Sequence, residues 1–347
     1  MKILFNMGHP GQVHLFKNTI RKLEKKGHEC KITIIDKEVS LKLLDIYGFK
    51  YEVVGATKPS MFAKAIELLK IESRLLKICK SFKPDILVGG VGNAYVAHVG
   101  KLIRKPSIVF DDTEHSKIEH FLMDPFATVI CTPSCYKHNL GKKQVMYDGY
   151  HELAYLNPNY FTPNPAVLKE IGLSENDTFI IMRFVSWAAS HDVGQSGLTM
   201  EDKINAVKAL ENCGRVLITS ESPLPPELEK YRITVSPEKI HDLLYYATLL
   251  YGESSTMASE CAVLGTHAIF VNTLRLGYTD EEDEKYNLVY NFNDEMTMGK
   301  DSLKKALELL NSSSLRQEGK KKGELLVRDK IDVTAFITNF LENQLKI

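Results

Sequence analysis

Strand-like and helix-like segments alternate from the first residue almost to the last, and no other feature constrains the fold as tightly. "KILFNM" is a short apolar run without polar alternation, as in a strand buried on both faces of a parallel sheet. After "GHPGQ" comes a segment with Val13, Phe16, Ile20 and Leu23 on one helical face. Lys17, Arg21, Lys22 and Lys25 fall mostly elsewhere on it. Gly27 is placed to end this helix, and "CKITIID" begins the next strand, which completes a βαβ unit.

The unit recurs. "SMFAKAIELLKIESRLLKICKSF" predicts a long amphipathic helix, "DILVGG" a strand, "NAYVAHVGKLI" a crossover helix and "SIVF" a strand ending at Asp111 and Asp112. "ATVICTP" supplies another strand. The stretch "LNPNYFTPNP" at 156–165 then breaks the pattern with prolines and asparagines, and reads as a linker. Alternation restarts with strand "TFIIMRF", a helix around 199–212, strands "RVLITS" and "RITV", helix "IHDLLYYA" and strand "LLYG". A further helix and strand "AIFVN" follow. The expected fold class is α/β, with two Rossmann-like parallel-sheet domains at 1–155 and 165–330. Residues 331–347 are expected to form an amphipathic helix crossing back between the halves.

Lys+Arg and Asp+Glu balance at 44 each, with no basic block, which argues against nucleic acid as a partner. No apolar run approaches the ~20 residues that span a bilayer. The N-terminus reaches Gly8 and His9 too early for a secretion signal. The six cysteines are scattered without a zinc-type set, and are expected to be reduced thiols in a cytoplasmic monomer or homodimer. Neither a metal nor a cofactor is expected.

Ligands in parallel sheets bind outside the carboxyl ends of the strands, and several predicted strand ends are chemically unusual. In "NMGHPGQVH", Gly8 and Gly11 permit tight turns while His9 and His14 offer proton-transfer groups. The glycine spacing is not the dinucleotide fingerprint. In "VGGVGN", Gly89, Gly90 and Gly92 permit close approach to the backbone, with Asn93 beside them. "FDDTEH" crowds Asp111, Asp112, Glu114 and His115, as general acid–base work requires, unless Asp112 or Thr113 merely caps a helix. "MRFVSWAASHDVGQSG" offers Arg183 to a diphosphate, Trp187 to a base, a sugar or the core, and a polar loop with Ser186, Ser190, His191 and Asp192. "YGESSTMASECAVLG" brings Ser254, Ser255 and Thr256 to a helix start. There they serve either as a cap or as a seat for phosphate.

Together these residues resemble the GT-B superfamily, which includes nucleotide-sugar glycosyltransferases and UDP-N-acetylglucosamine 2-epimerases. The opening "MKILFNMGHPGQVHLFKNTIRKLEKKGHEC" is especially similar to a bacterial and archaeal family within it, a domain of unknown function. The resemblance implies two halves facing a central cleft, with a nucleotide sugar held mainly by the C-terminal half. It implies that Ser254, Ser255 and Thr256 match the diphosphate-binding turn, that Glu260 matches the acid on the ribose, and that Ile240 and His241 lie where the backbone meets uracil. The turn has serines where relatives usually have glycines. An epimerase aspartate after "DILVGG" and the His-Arg-Arg-Glu-Asn signature are missing, although Asp111 matches one epimerase acid.

Three readings follow. The first is a metal-independent transferase moving a sugar from a UDP-sugar to a sugar, lipid or other acceptor, with a base among His9, His14, Asp111, Asp112 and Glu114. The second is a 2-epimerase or nucleotide-sugar hydrolase. The third is a non-catalytic nucleotide-sugar-binding protein.

Overall fold

The computed structural model describes residues 1–56, 58, 61–185, 196–220, 223–233 and 235–344. The chain divides into two compact units, Met1–Tyr155 with Ile331–Ile347, and Leu156–Lys330.

The first unit is built on β1 (Lys2–Met7), α1 (Pro10–Lys25), β2 (Glu29–Asp36), α2 (Glu38–Ile46), β3 (Tyr51–Ala56), α3 (Met61–Phe82), β4 (Ile86–Gly89), α4 (Ala94–Ile103), β5 (Ser107–Phe110), α5 (Lys117–Met123), β6 (Val129–Pro133) and β7 (Gln144–Tyr147). Among the described residues its strands form one parallel sheet in the order β3-β2-β1-β4-β5-β6-β7. The apolar run of β1 sits at the centre, with Ile3, Leu4 and Phe5 inaccessible to solvent. Val13, Phe16, Ile20 and Leu23 of α1 are buried as their spacing predicts, and Phe16 packs against Phe5 and Phe110. The edge strands β3 and β7 were not foreseen. "YEVVGA" faces solvent at Glu52 and Val53, and "QVMY" exposes Met146, so neither presents an unbroken apolar run.

The short helix α6 (Leu153–Leu156) ends the first segment of the first unit, and the second unit contains α7 (Ala166–Glu170), β8 (Phe179–Phe184), α8 (Met200–Leu210), β9 (Arg215–Ser220), α9 (Ile240–Tyr246), β10 (Leu249–Gly252), α10 (Ser255–Leu264), β11 (Ala268–Val271), α11 (Gly277–Glu284), β12 (Val289–Phe292), α12 (Met298–Leu310) and α13 (Leu315–Asp329). Its described strands form a second parallel sheet, β12-β11-β10-β8-β9. Among the described residues of "RITV", Arg232 makes an isolated bridge to Ile218 and no strand is formed. Residues 156–165 fold with this unit: Asn164 N–H donates to the Asp242 carboxylate at 2.8 Å.

The terminal helix α14 (Val333–Asn343) belongs to the first unit and packs along α1. Glu342 meets Lys26 at 2.6 Å and His28 at 3.0 Å, and Thr334 donates to the Ala154 carbonyl. The chain therefore returns to the first unit after completing the second.

Candidate functional site

The strand order of each sheet reverses direction at one point: between β1 and β4 in the first unit, and between β8 and β10 in the second. Ligand sites in such sheets form at the carboxyl ends beside these reversals.

In the first unit the reversal is filled by the protein's own side chains. Gly8 N–H donates to Gln12 Oε1 at 2.7 Å, and Gln12 Nε2 donates to the Val91 carbonyl. A Cβ on Gly90 would lie 2.6 Å from Gln12, so this glycine makes room for Gln12. Asn93 is buried and caps α4, accepting from Val96 N–H while donating to the backbone and side chain of Asn6. His9 caps α1, its Nδ1 accepting from Gly11 N–H at 3.2 Å. Gly11 therefore lies in the first helical turn and forms no tight loop, and His9 and His14 do not face a common point by virtue of their loop. His14 is buried on α1, its ring against Tyr155 and its Nδ1 3.4 Å from both Lys17 Nζ and the Tyr47 hydroxyl.

Polar groups gather instead at the ends of β5 and β7. Asp111 is buried, and its Oδ1 accepts from Thr113 N–H at 2.8 Å. His120 Nε2 lies 3.5 Å from Asp111 Oδ2 and also contacts the Tyr136 hydroxyl at 3.1 Å. Burial pushes the Asp111 carboxyl up to about 7 against the opposing pull of His120. Burial alone would lower His120, but its hydrogen bond to Asp124 and the charges of Asp111 and Asp124 hold it at about 9. Asp112 accepts from Thr113 Oγ1 at 2.9 Å and lies 2.8 Å from His151 Nδ1. Burial opposes both charges of that pair, yet their mutual attraction dominates, so Asp112 is lowered and His151 raised. Glu114 is buried and accepts from Lys137 N–H at 3.2 Å. The acids do not cap a helix, since α5 starts after Ser116. His120, Tyr147 and His151 went unnoticed in the sequence because "QVMY" was not recognised as a strand, so nothing marked "DGYHEL" as a strand end.

In the second unit the reversal is occupied by Arg183 and Glu253. Arg183 donates from Nη1 to Thr219 Oγ1 at 3.0 Å, at the end of β8. Glu253 is buried, and its carboxylate accepts from Val185 N–H, Leu198 N–H and Lys203 Nζ at 2.9–3.0 Å. Burial raises its carboxyl, and Lys203 partly offsets that. Ser254 then caps α10, accepting from Met257 N–H at 3.3 Å. Ser254, Ser255 and Thr256 are half-buried, while the rest of α10 is buried. One turn beyond Thr256, buried Glu260 lies 2.8 Å from the Nε2 of buried His241. Ile240, the first residue of α9, is half-buried beside it. Ser186, Trp187, Ser190, His191 and Asp192 lie outside the described residues. Among the described residues no group of three or more His, Cys, Asp or Glu is placed to hold a metal ion. Nor is any described helix long and apolar enough to cross a membrane.

The chain is similar to proteins that share this two-sheet fold. A protein from Methanocaldococcus jannaschii, "Uncharacterized protein MJ0665", is 23% identical over 275 residues, covering 76% of this chain and 80% of that protein. The structure of UDP-GlcNAc 2-epimerase from Neisseria meningitidis bound to UDP-GlcNAc matches with a TM-score of 0.67 at 12% identity, over 100% of both chains. The spinosyn rhamnosyltransferase SpnG matches with a TM-score of 0.66 at 14% identity, over 99% of this chain and 100% of that one. The architecture is thus that of the GT-B glycosyltransferases and the UDP-GlcNAc 2-epimerases. The family described as "Protein of unknown function (DUF354)" matches residues 1–342, and the chain belongs to it.

Proposed function

We propose that this protein is a nucleotide-sugar-dependent glycosyltransferase, moving a sugar from a UDP-sugar to the hydroxyl of an acceptor. The observation that carries the reading is the start of α10. Three hydroxyl residues, half-exposed, stand where the first-turn N–H groups and the helix dipole favour a diphosphate. They lie at the strand-order reversal of the second sheet, after β10. Glu260, one turn on and engaged by His241, offers carboxylate oxygens suited to paired ribose hydroxyls. Arg183 adds positive charge beside the same reversal.

In the first unit, Asp111, pushed up to about 7 by burial, exchanges protons near neutral pH, and the Asp112–His151 pair adjoins it. Deprotonating an acceptor hydroxyl requires such a group. Among the described residues His9 and Asn93 are engaged in capping, which favours the acids over the opening loop as the source of the base.

A second reading, 2-epimerisation or hydrolysis of a nucleotide sugar, is supported by the likeness to the Neisseria epimerase and by the gathering of several carboxylates. Incubation with UDP-N-acetylglucosamine separates the two. The transferase reading expects UDP to be released rapidly only when an acceptor mixture such as cell extract is added. Rapid formation of an epimer, or of free UDP, without acceptor would replace it with the second reading. Binding without any turnover would reduce the protein to a nucleotide-sugar-binding one.

A further inference from the structure

The geometry points to His151 as the proton acceptor of the reaction, with Asp112 holding its ring so that Nε2 receives the proton of the acceptor hydroxyl. This inference rests on the transferase reading above.

His151 Nδ1 donates to Asp112 Oδ2 at 2.8 Å, which fixes the neutral ring in the tautomer whose Nε2 is an acceptor. Among the described residues no group hydrogen-bonds to that Nε2, although the atom is buried. A buried polar atom without a partner calls for an explanation beyond packing. The parallel ring of Tyr147 lies 6.5 Å away, and its hydroxyl is likewise buried without a described partner.

The loop carrying His151 is held on several sides. Ile331 N–H donates to the Asp148 carbonyl at 2.9 Å, and Ser134 Oγ donates to the Asp148 carboxylate at 3.1 Å. A Cβ on Gly149 would lie 2.6 Å from Val333, so the loop fits closely against the start of α14. The ring is therefore positioned before substrate arrives, as a base requires. Asp112, Asp111 and Glu152 all favour its charged form, and burial opposes it.

In the step, the acceptor O–H bond breaks and its proton passes to Nε2. The oxygen's electron pair forms the new bond to the anomeric carbon. The bond from that carbon to the diphosphate oxygen breaks, and its electron pair leaves with UDP. The imidazolium that results stands against the Asp112 carboxylate.

The test uses the full chain, UDP-N-acetylglucosamine with cell extract as the source of acceptor, and UDP alone. His151→Gln is expected to slow UDP release by about 100-fold or more while UDP affinity stays within about twofold. Asp112→Asn is expected to shift the rising limb of the pH–rate profile to lower pH, because the charge holding His151 protonated is gone. Because Asp112 also raises Asp111, the variant is compared in an Asp111→Asn background, where a purely structural role for His151 would not move that limb. Release by His151→Gln within about threefold of the parent, or equal loss of UDP affinity and rate, overturns the assignment. Diethyl pyrocarbonate reports on Nε2 without any sugar. Absence of an adduct on His151 in the folded parent also overturns the assignment, even if UDP binds. A parent that binds no UDP but forms the adduct overturns the transferase reading instead, and the base role with it.

Discussion

Glu260 and His241 form a buried pair, Oε1 to Nε2 at 2.8 Å, joining the middle of α10 to the start of α9. Both side chains are buried. Removing one member is expected to cost about 2–4 kcal/mol by leaving the other buried without it. In a double-mutant cycle of Glu260→Ala and His241→Ala, a coupling of about 1–3 kcal/mol is expected from denaturant unfolding. Strictly additive losses would mean the two residues stabilise the unit independently.

Ser254 has a part in stability whatever it binds. Its hydroxyl accepts from Met257 N–H at the start of a helix whose remaining face is buried. Ser254→Ala should lower unfolding free energy by about 0.5–2 kcal/mol. Ser255 and Thr256, inside the first turn, do not occupy the capping position. Alanine at those two should leave the melting temperature nearly unchanged while weakening UDP binding.

At the other end of α10, Gly265 adopts φ +70° and ends the helix in the left-handed conformation. A Cβ there would stand 2.8 Å from the Gly319 carbonyl oxygen on α13. Gly265→Ala therefore combines backbone strain with a backbone clash, and a loss of roughly 1–3 kcal/mol is expected on thermal unfolding.

The buried Asp111 carboxyl gives stability a pH dependence of known sign. Its folded value, about 7, lies above the ordinary 3.8, so between those values the unfolded chain has released a proton that the folded chain keeps. Stability from this group is thus present at low pH and falls as pH rises from about 4 to 7. Asp111→Asn cannot ionise and should flatten that part of the profile. His120, held at about 9, adds stability present below its ordinary 6.5 that is lost as pH rises through about 9. Parallel stability–pH curves for parent and Asp111→Asn between pH 4 and 7 would contradict the burial argument.

Much of the architecture was legible because central strands of parallel sheets are apolar throughout. β1, β4, β5, β8, β10 and β11 all read directly from their runs. Edge strands escaped because one side meets water: Val53 and Met146 are exposed in β3 and β7. That omission hid His151, whose place beside Asp112 depends on β7. The acids of "FDDTEH" were legible as a cluster, whereas the partners that divide them, His120 for Asp111 and His151 for Asp112, come from distant segments. Glycines misled in the opposite direction. Gly89 and Gly90 suggested close approach of a ligand to the backbone, but Asn93 and Gln12 occupy the space beside them.

The most direct measurement is calorimetric titration of the parent and of Glu260→Gln with UDP and with pyrophosphate. Gln keeps an oxygen for His241 but loses the charge and one acceptor offered to a ribose. If the nucleotide sits at the start of α10, the parent binds UDP. Glu260→Gln then binds it about tenfold more weakly, about 1.4 kcal/mol, with pyrophosphate affinity unchanged because that ligand has no ribose. No heat of UDP binding in the parent, or equal UDP affinities for the two proteins, would contradict the account and leave Ser254 as a helix cap alone.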